Sequence, residues 1–127
     1  MITLKELNVH NHPTNKVIDA NLQVLLQRMN ELRAAWNKPM IITSGLRSEE
    51  NQRSLMEQGK TKAFFSNHLA GAACDVLDKK GALAKWCLKN EDLLKRIGLW
   101  CEHPDYTKGW MHFQILPPRS GNRFFIP

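Results

Sequence analysis

Between Thr14 and Trp36 the apolar positions Val17, Ala20, Leu25, Met29, Leu32 and Trp36 fall three to five residues apart, with polar residues between them. That rhythm predicts a long amphipathic helix, with Thr14 or Asn15 as its N-cap and Lys38-Pro39 as its stop. Met40-Ile41-Ile42-Thr43 is a short apolar, β-branched run held between Pro39 and Ser44-Gly45, the pattern of a buried strand. Residues 49–58 predict a second helix closed by Gly59. Residues 60–71 keep no clean period and contain Ser66, Asn67 and Gly71, which predicts a loop feeding a strand over 72–77. Residues 81–89 and 91–97 predict a helix broken near Asn90. A strand over 98–102, a loop over 103–109 and a strand over 110–115 then make a hairpin. The tail 117–123 is irregular, and Phe124, Phe125 and Ile126 are expected to dock back on the core.

Composition narrows the class. With 127 residues, 43% of them hydrophobic and 24% charged, the chain can bury about two-thirds of its unfolded surface in one domain, residues 1–127. No apolar run approaches the roughly 18 to 20 residues of a membrane span. The N-terminus MITLKELNVHNHP lacks the basic and apolar regions of a secretory signal, so synthesis in the cytoplasm is expected. Cys74, Cys87 and Cys101 cannot all pair with one another and form no C-x-x-C, so they read as small buried hydrophobes. Eighteen Lys and Arg against 12 Asp and Glu leave a net charge of +6. That surplus favours a polyanionic partner, either nucleic acid or an anionic cell-wall polymer. Cations such as Lys60, Lys62, Lys79, Lys80, Arg119 and Arg123 are dispersed, which suits broad attraction better than a groove-reading helix.

Candidate chemistry lies with the histidines. His68 stands in Ser66-Asn67-His68-Leu69-Ala70-Gly71-Ala72-Ala73-Cys74-Asp75, and His112 in Trp110-Met111-His112-Phe113-Gln114. Two imidazoles and one carboxylate, with a fourth position for water, are a ligand set of catalytic zinc. Gly71 and its small neighbours would let the chain turn so that His68 and Asp75 address one ion. By spacing alone, such residues are more often ordinary surface polar groups than ligands. His10 and His12 form an H-x-H that reads as surface before Pro13. The tryptophans recur at no ligand-stacking interval and read as core or cleft wall.

Several patterns recur in order. Ser66-x-His68-x-x-Gly71-x-Ala73-x-Asp75, followed by Trp110-x-His112-x-Gln114 and preceded by Thr43-Ser44-Gly45-Leu46-Arg47-Ser48, resembles the zinc peptidases of the D-alanyl-D-alanine carboxypeptidase family. That family shares its fold with the N-terminal domain of hedgehog proteins and includes phage endolysins. The resemblance runs from about residue 40 to 115 and implies an α+β fold, a small antiparallel sheet with flanking helices. It implies His68, Asp75 and His112 as Zn²⁺ ligands and Arg47 as the cation that binds the substrate and its oxyanion. Taken alone, Arg47 could also be a surface arginine capping a turn, though a guanidinium fork suits an oxyanion better. Ser66 either holds substrate or simply caps its loop.

The general base departs from the family's pattern. Many members carry an acid three positions before the last histidine, where this chain has Gly109. Glu102 and Asp105 are the local candidates. If the hairpin sets Glu102 opposite His112, both side chains share one face and Glu102 can take the proton of the attacking water. Asp105, in His103-Pro104-Asp105-Tyr106, reads as a turn residue, and His103 as a helper or a loop histidine. The expectation is therefore a zinc peptidase, monomeric and not membrane-inserted, that cuts an amide bond in bacterial peptidoglycan stems or cross-links, either as an endopeptidase or as a carboxypeptidase trimming terminal D-alanine. The length and the lack of a signal suit an endolysin acting on the wall after release. A basic nucleic-acid-binding module with a non-catalytic metal site is the alternative from another class.

Overall fold

Thr3 accepts a hydrogen bond from the Glu6 amide at 3.3 Å while the Glu6 carboxylate accepts from the Thr3 amide at 3.2 Å. This capping box starts a one-turn helix, α1 (Leu4–Leu7), too short for periodicity to reveal. The computed structural model describes residues 1–48, 54, 57–58 and 66–127. The long helix is α2 (Lys16–Trp36), capped at its start by the Asn15 side chain and closed by Asn37 in the left-handed conformation. Its buried stripe is Leu22, Leu25, Met29 and Leu32. Val17 and Ala20, expected on that stripe, face solvent, because the first turns bury the neighbouring face instead, with Ile18 and Leu22 against Gly71.

The strands are β1 (Ile42–Ser44), β2 (Ala73–Asp78), β3 (Trp100–Glu102), β4 (Gly109–Gln114) and β5 (Phe124–Phe125). They form one sheet in the order β1-β2-β4-β3-β5. Every neighbouring pair is antiparallel except β3 and β5. Helices α3 (Ala82–Lys89) and α4 (Glu91–Ile97) join β2 to β3, with the predicted break at Asn90. The Asp78 carboxylate, at the end of β2, caps α3 by accepting from the Leu83 and Ala84 amides at 3.0 and 2.9 Å. The fold is α+β, as the sequence predicts. The expected helix over 49–58 lies outside the described residues except for Ser54, Glu57 and Gln58, and Lys60 and Lys62 lie outside them altogether.

Strand alternation divides the sheet into a core face and a polar face. Cys74 pairs with Phe113, Val76 with Met111 and Cys101 with Phe113, and these side chains join Leu25, Met29 and Leu32 in the core. On the other face Asp75 pairs with His112, and Gln114 pairs with Ala73 and with Trp100. A one-residue slip would exchange the two faces and drive Asp75 and His112 into the core. The three cysteines are free and buried, and burial pushes the Cys87 thiol up to about 12. The tail docks through β5, where Cys101 and His103 amides donate to the Arg123 and Phe125 carbonyls. Phe125 is buried, but Ile126 is 73% exposed because β5 ends before it. No helix among the described residues is long and apolar enough to cross a membrane.

Helix α1 bears on the rest through its last carbonyl. Leu7 O accepts from the Leu46 amide at 2.7 Å, and a Cβ on Gly45 would run into that same carbonyl. Only glycine lets the two backbones approach this closely. Gly45→Ala should therefore force them apart and destabilise the protein by about 1–3 kcal/mol, measured by urea unfolding. An unchanged midpoint and slope would show that the contact is not the constraint described.

Candidate metal centre

Asp75 and His112 are directly opposed in the β2–β4 ladder, so strand pairing alone brings a carboxylate and an imidazole together on the polar face. His68 arrives from the turn at 66–71. The Ser66 hydroxyl accepts from the His68 amide at 3.1 Å, and the His68 carbonyl accepts from the Arg47 amide at 3.1 Å. The turn is tied to α2 by Asn21, whose side-chain amide donates to the Ala70 carbonyl at 2.9 Å. Gly71, at φ +70°, lies against Ile18 and Leu22 of α2, where a side chain would be both strained and crowded. The three side chains are buried, and one ligand atom from each lies within 4.8 Å of the others.

Hydrogen bonds on the outer sides of the rings determine which atoms point inward. His68 Nδ1 lies 2.9 Å from the Gly45 carbonyl oxygen, an obligatory acceptor, so Nδ1 carries the proton and Nε2 keeps its lone pair. His112 Nε2 lies 2.8 Å from Gln114 Oε1. The Gln114 amide is itself oriented, because its Nε2 donates to the Leu116 carbonyl at 2.7 Å. His112 Nε2 is therefore the protonated nitrogen, and Nδ1 faces inward. Asp75 Oδ1 lies 3.3 Å from His68 Nε2 and 3.0 Å from His112 Nδ1. Three lone-pair atoms thus converge, an arrangement that is attractive only with a proton or a cation among them.

The electrostatics follow from that convergence. Burial lowers the His68 pKa more than neighbouring Asp75 raises it, which favours the neutral ligand form. Burial would also lower His112, but the hydrogen bond and charge of Asp75, with the charge of Glu102, outweigh it and the net shift is upward. Burial would raise the Asp75 carboxyl, yet its bonds to His112 and His68 hold it well below the usual carboxylate range. Two nitrogens and a carboxylate oxygen, dry and oriented from outside, fit a divalent ion such as zinc.

The other candidates take different places. Arg47 lies beside Asp75, its Nη2 3.4 Å from Oδ2, while its Nε donates to the Ser44 hydroxyl at 3.2 Å. Burial lowers its pKa, partly offset by the charges of Asp75 and Glu102. The pairing of Trp100 with Gln114 and Cys101 with Phe113, continued by one residue, sets Glu102 opposite His112. Glu102 Oε1 lies 4.0 Å from His112 Nδ1, and burial, the largest influence on it, raises its pKa. Asp105 is 83% exposed in the one-turn 3-10 helix Pro104–Tyr106 and sits against His103. Ser66 is engaged in capping its own loop.

The fold and the geometry agree with two comparisons. The chain matches the family model for peptidase M15 over residues 1–109. The chain belongs to the peptidase M15 family. The match includes His68 and Asp75 and ends before His112, which the β2–β4 ladder supplies. The structure is similar to that of the Serratia marcescens L-Ala D-Glu endopeptidase ChiX, with a TM-score of 0.56 and 21% identity, covering 86% of this chain and 93% of that one. Comparison with curated proteins finds no match. M15 peptidases are metallopeptidases, and the His68, Asp75 and His112 group is the one among the described residues that could hold a metal.

Two supporting groups went without a role in the sequence analysis, the Gly45 carbonyl and Gln114. Gln114 was legible in principle, since residues two apart on a strand share a face. A backbone carbonyl leaves no such trace. Gln114→Ala should lower zinc affinity roughly 10- to 100-fold by releasing the His112 ring. Competition against a chromophoric chelator measures this, and an unaltered affinity would mean that Gln114 does not orient the ligand.

Proposed function

We propose that this M15 peptidase is zinc-dependent and hydrolyses an amide bond in the peptide stems or cross-links of bacterial peptidoglycan. The observation that carries this reading is the inward convergence of His68 Nε2, His112 Nδ1 and Asp75 Oδ1 with a carboxylate, Glu102, 4.0 Å from one of them. The substrate class is supported by the named activity of ChiX, which has the same fold, and by the net charge of +6, which favours an anionic wall. An endolysin-like role in wall degradation fits the same features. When bound, zinc supplies Lewis acidity toward a carbonyl and a nearby water.

The chain's own residues supply the remaining chemistry. His68, Asp75 and His112 are the ligands of this reading. Glu102 accepts the proton of the attacking water and returns it to the leaving amine, a task suited to a carboxylate whose pKa burial has raised. Arg47 holds the developing oxyanion with its guanidinium and also steadies Asp75 through Oδ2. Ser66 keeps His68 in place, and its hydroxyl lies on the same turn as a contact for the substrate backbone.

Mass spectrometry of purified muropeptides incubated with zinc-loaded protein tests the reaction. Products one hydrolysis apart from the substrate are expected, and their masses name the bond. Intact substrates across cross-linked and uncross-linked stems would overturn the proposal.

Glu102 also sets a pH dependence. As a base it works only when ionised, so kcat/KM should fall as pH drops through its raised pKa. Glu102→Gln should retain zinc, lose that acid limb and lower activity by roughly 10² to 10⁴. Asp105→Asn should leave activity near wild type. The reverse pattern would make Asp105 the base.

A further inference from the structure

A cleft of about 850 Å³ opens beside the candidate metal centre, between Asn67 on the turn that carries His68 and the tail that follows β4. Gln114 lines it, and Gln114 is hydrogen-bonded to the outer nitrogen of His112. Phe125, another lining residue, meets the His112 ring edge-on with centroids 6.2 Å apart. Two of its lining residues thus touch His112, which sets the cleft next to the site. Two residues along a strand cover roughly 7 Å, so Gln114 lies that far along β4 from His112. An extended substrate peptide covers the same distance in about two residues.

The chemistry of the lining is uneven. Pro117, Pro118 and Phe125 supply apolar wall, and Arg119 is the one charged side chain among the lining residues. Arg119 is exposed, and its side chain has no ion-pair or hydrogen-bond partner among the described residues. Arg47 belongs to the other side of the sheet, following β1 and resting on Asp75, whereas this cleft lies by β5 at the opposite edge. The two cations therefore address different parts of a bound peptide.

We propose that the cleft is a substrate subsite in which Arg119 binds a carboxylate carried near the scissile amide. The proposal rests on the peptidase function above and names the substrate's acidic group. A guanidinium offers paired donors to such a group. An amidated substrate of the same shape would lose this contact while keeping every contact at the metal centre.

The test uses zinc-loaded protein and two synthetic stem peptides, identical except that the acidic group beside the scissile bond is a free carboxylate in one and a carboxamide in the other. Wild type should show the lower KM for the free acid. Arg119→Ala should raise that KM by about tenfold, with kcat and the KM for the amide unchanged, and Arg119→Lys should recover part of the loss. Because Arg119 is exposed, these variants should fold and bind zinc as wild type does. If wild type cleaves both peptides and Arg119→Ala leaves the ratio of their kcat/KM values unaltered, the subsite is wrong and the peptidase function stands. If wild type cleaves neither, the peptidase function fails and the subsite fails with it.

Discussion

The pairing of Asp75 with His112 across β2 and β4 is the constraint on which the site depends. It places a carboxylate oxygen 3.0 Å from an imidazole nitrogen in a buried setting, where an unpaired charge would be costly. The sheet tolerates the pair because its other face holds Cys74, Val76, Met111 and Phe113 in the core, fixing the register against slippage. Everything else at the centre is arranged around Asp75. Oδ1 receives the two histidines, and Oδ2 receives Arg47.

A second chain of contacts links the N-terminal turn to this centre. Leu7 of α1 accepts from Leu46, the adjoining Gly45 carbonyl accepts from His68, and Arg47 donates to the His68 backbone. The segment Ser44 to Arg47 is thus held from one side by a helix outside the site and itself holds His68 on the other. Precision at a metal centre requires this sort of support, since an imidazole with a free ring rotates away from the geometry that binds an ion. The Gln114 amide, fixed by the Leu116 carbonyl, does the same for His112.

Much of this was legible in the sequence, for physical reasons that can be named. The Leu25, Met29 and Leu32 spacing and the break at Asn90 follow from helix geometry, and the hairpin register that sets Glu102 by His112 follows from strand alternation. The order of the Ser-Gly-Leu-Arg, Ser-x-His and Trp-x-His patterns carried the family. Other features leave no pattern. Helix α1 is shorter than one period, the exposure of Val17 depends on which face of α2 meets the turn at Gly71, that of Ile126 on where β5 ends, and the Gly45 carbonyl is backbone. Arg119 reads in sequence as one dispersed cation among many, and only the folded tail sets it in a cleft shared with Asn67 and Gln114.

The central claim is that outer hydrogen bonds select one nitrogen of each imidazole for the metal. A crystal structure of the zinc-loaded protein, with the ion located by its anomalous scattering, tests it directly. The account predicts one zinc bonded to His68 Nε2, His112 Nδ1 and an Asp75 carboxylate oxygen, with the Gly45 and Gln114 bonds retained. Zinc bonded through His68 Nδ1 or His112 Nε2, or bound without Asp75, would contradict it.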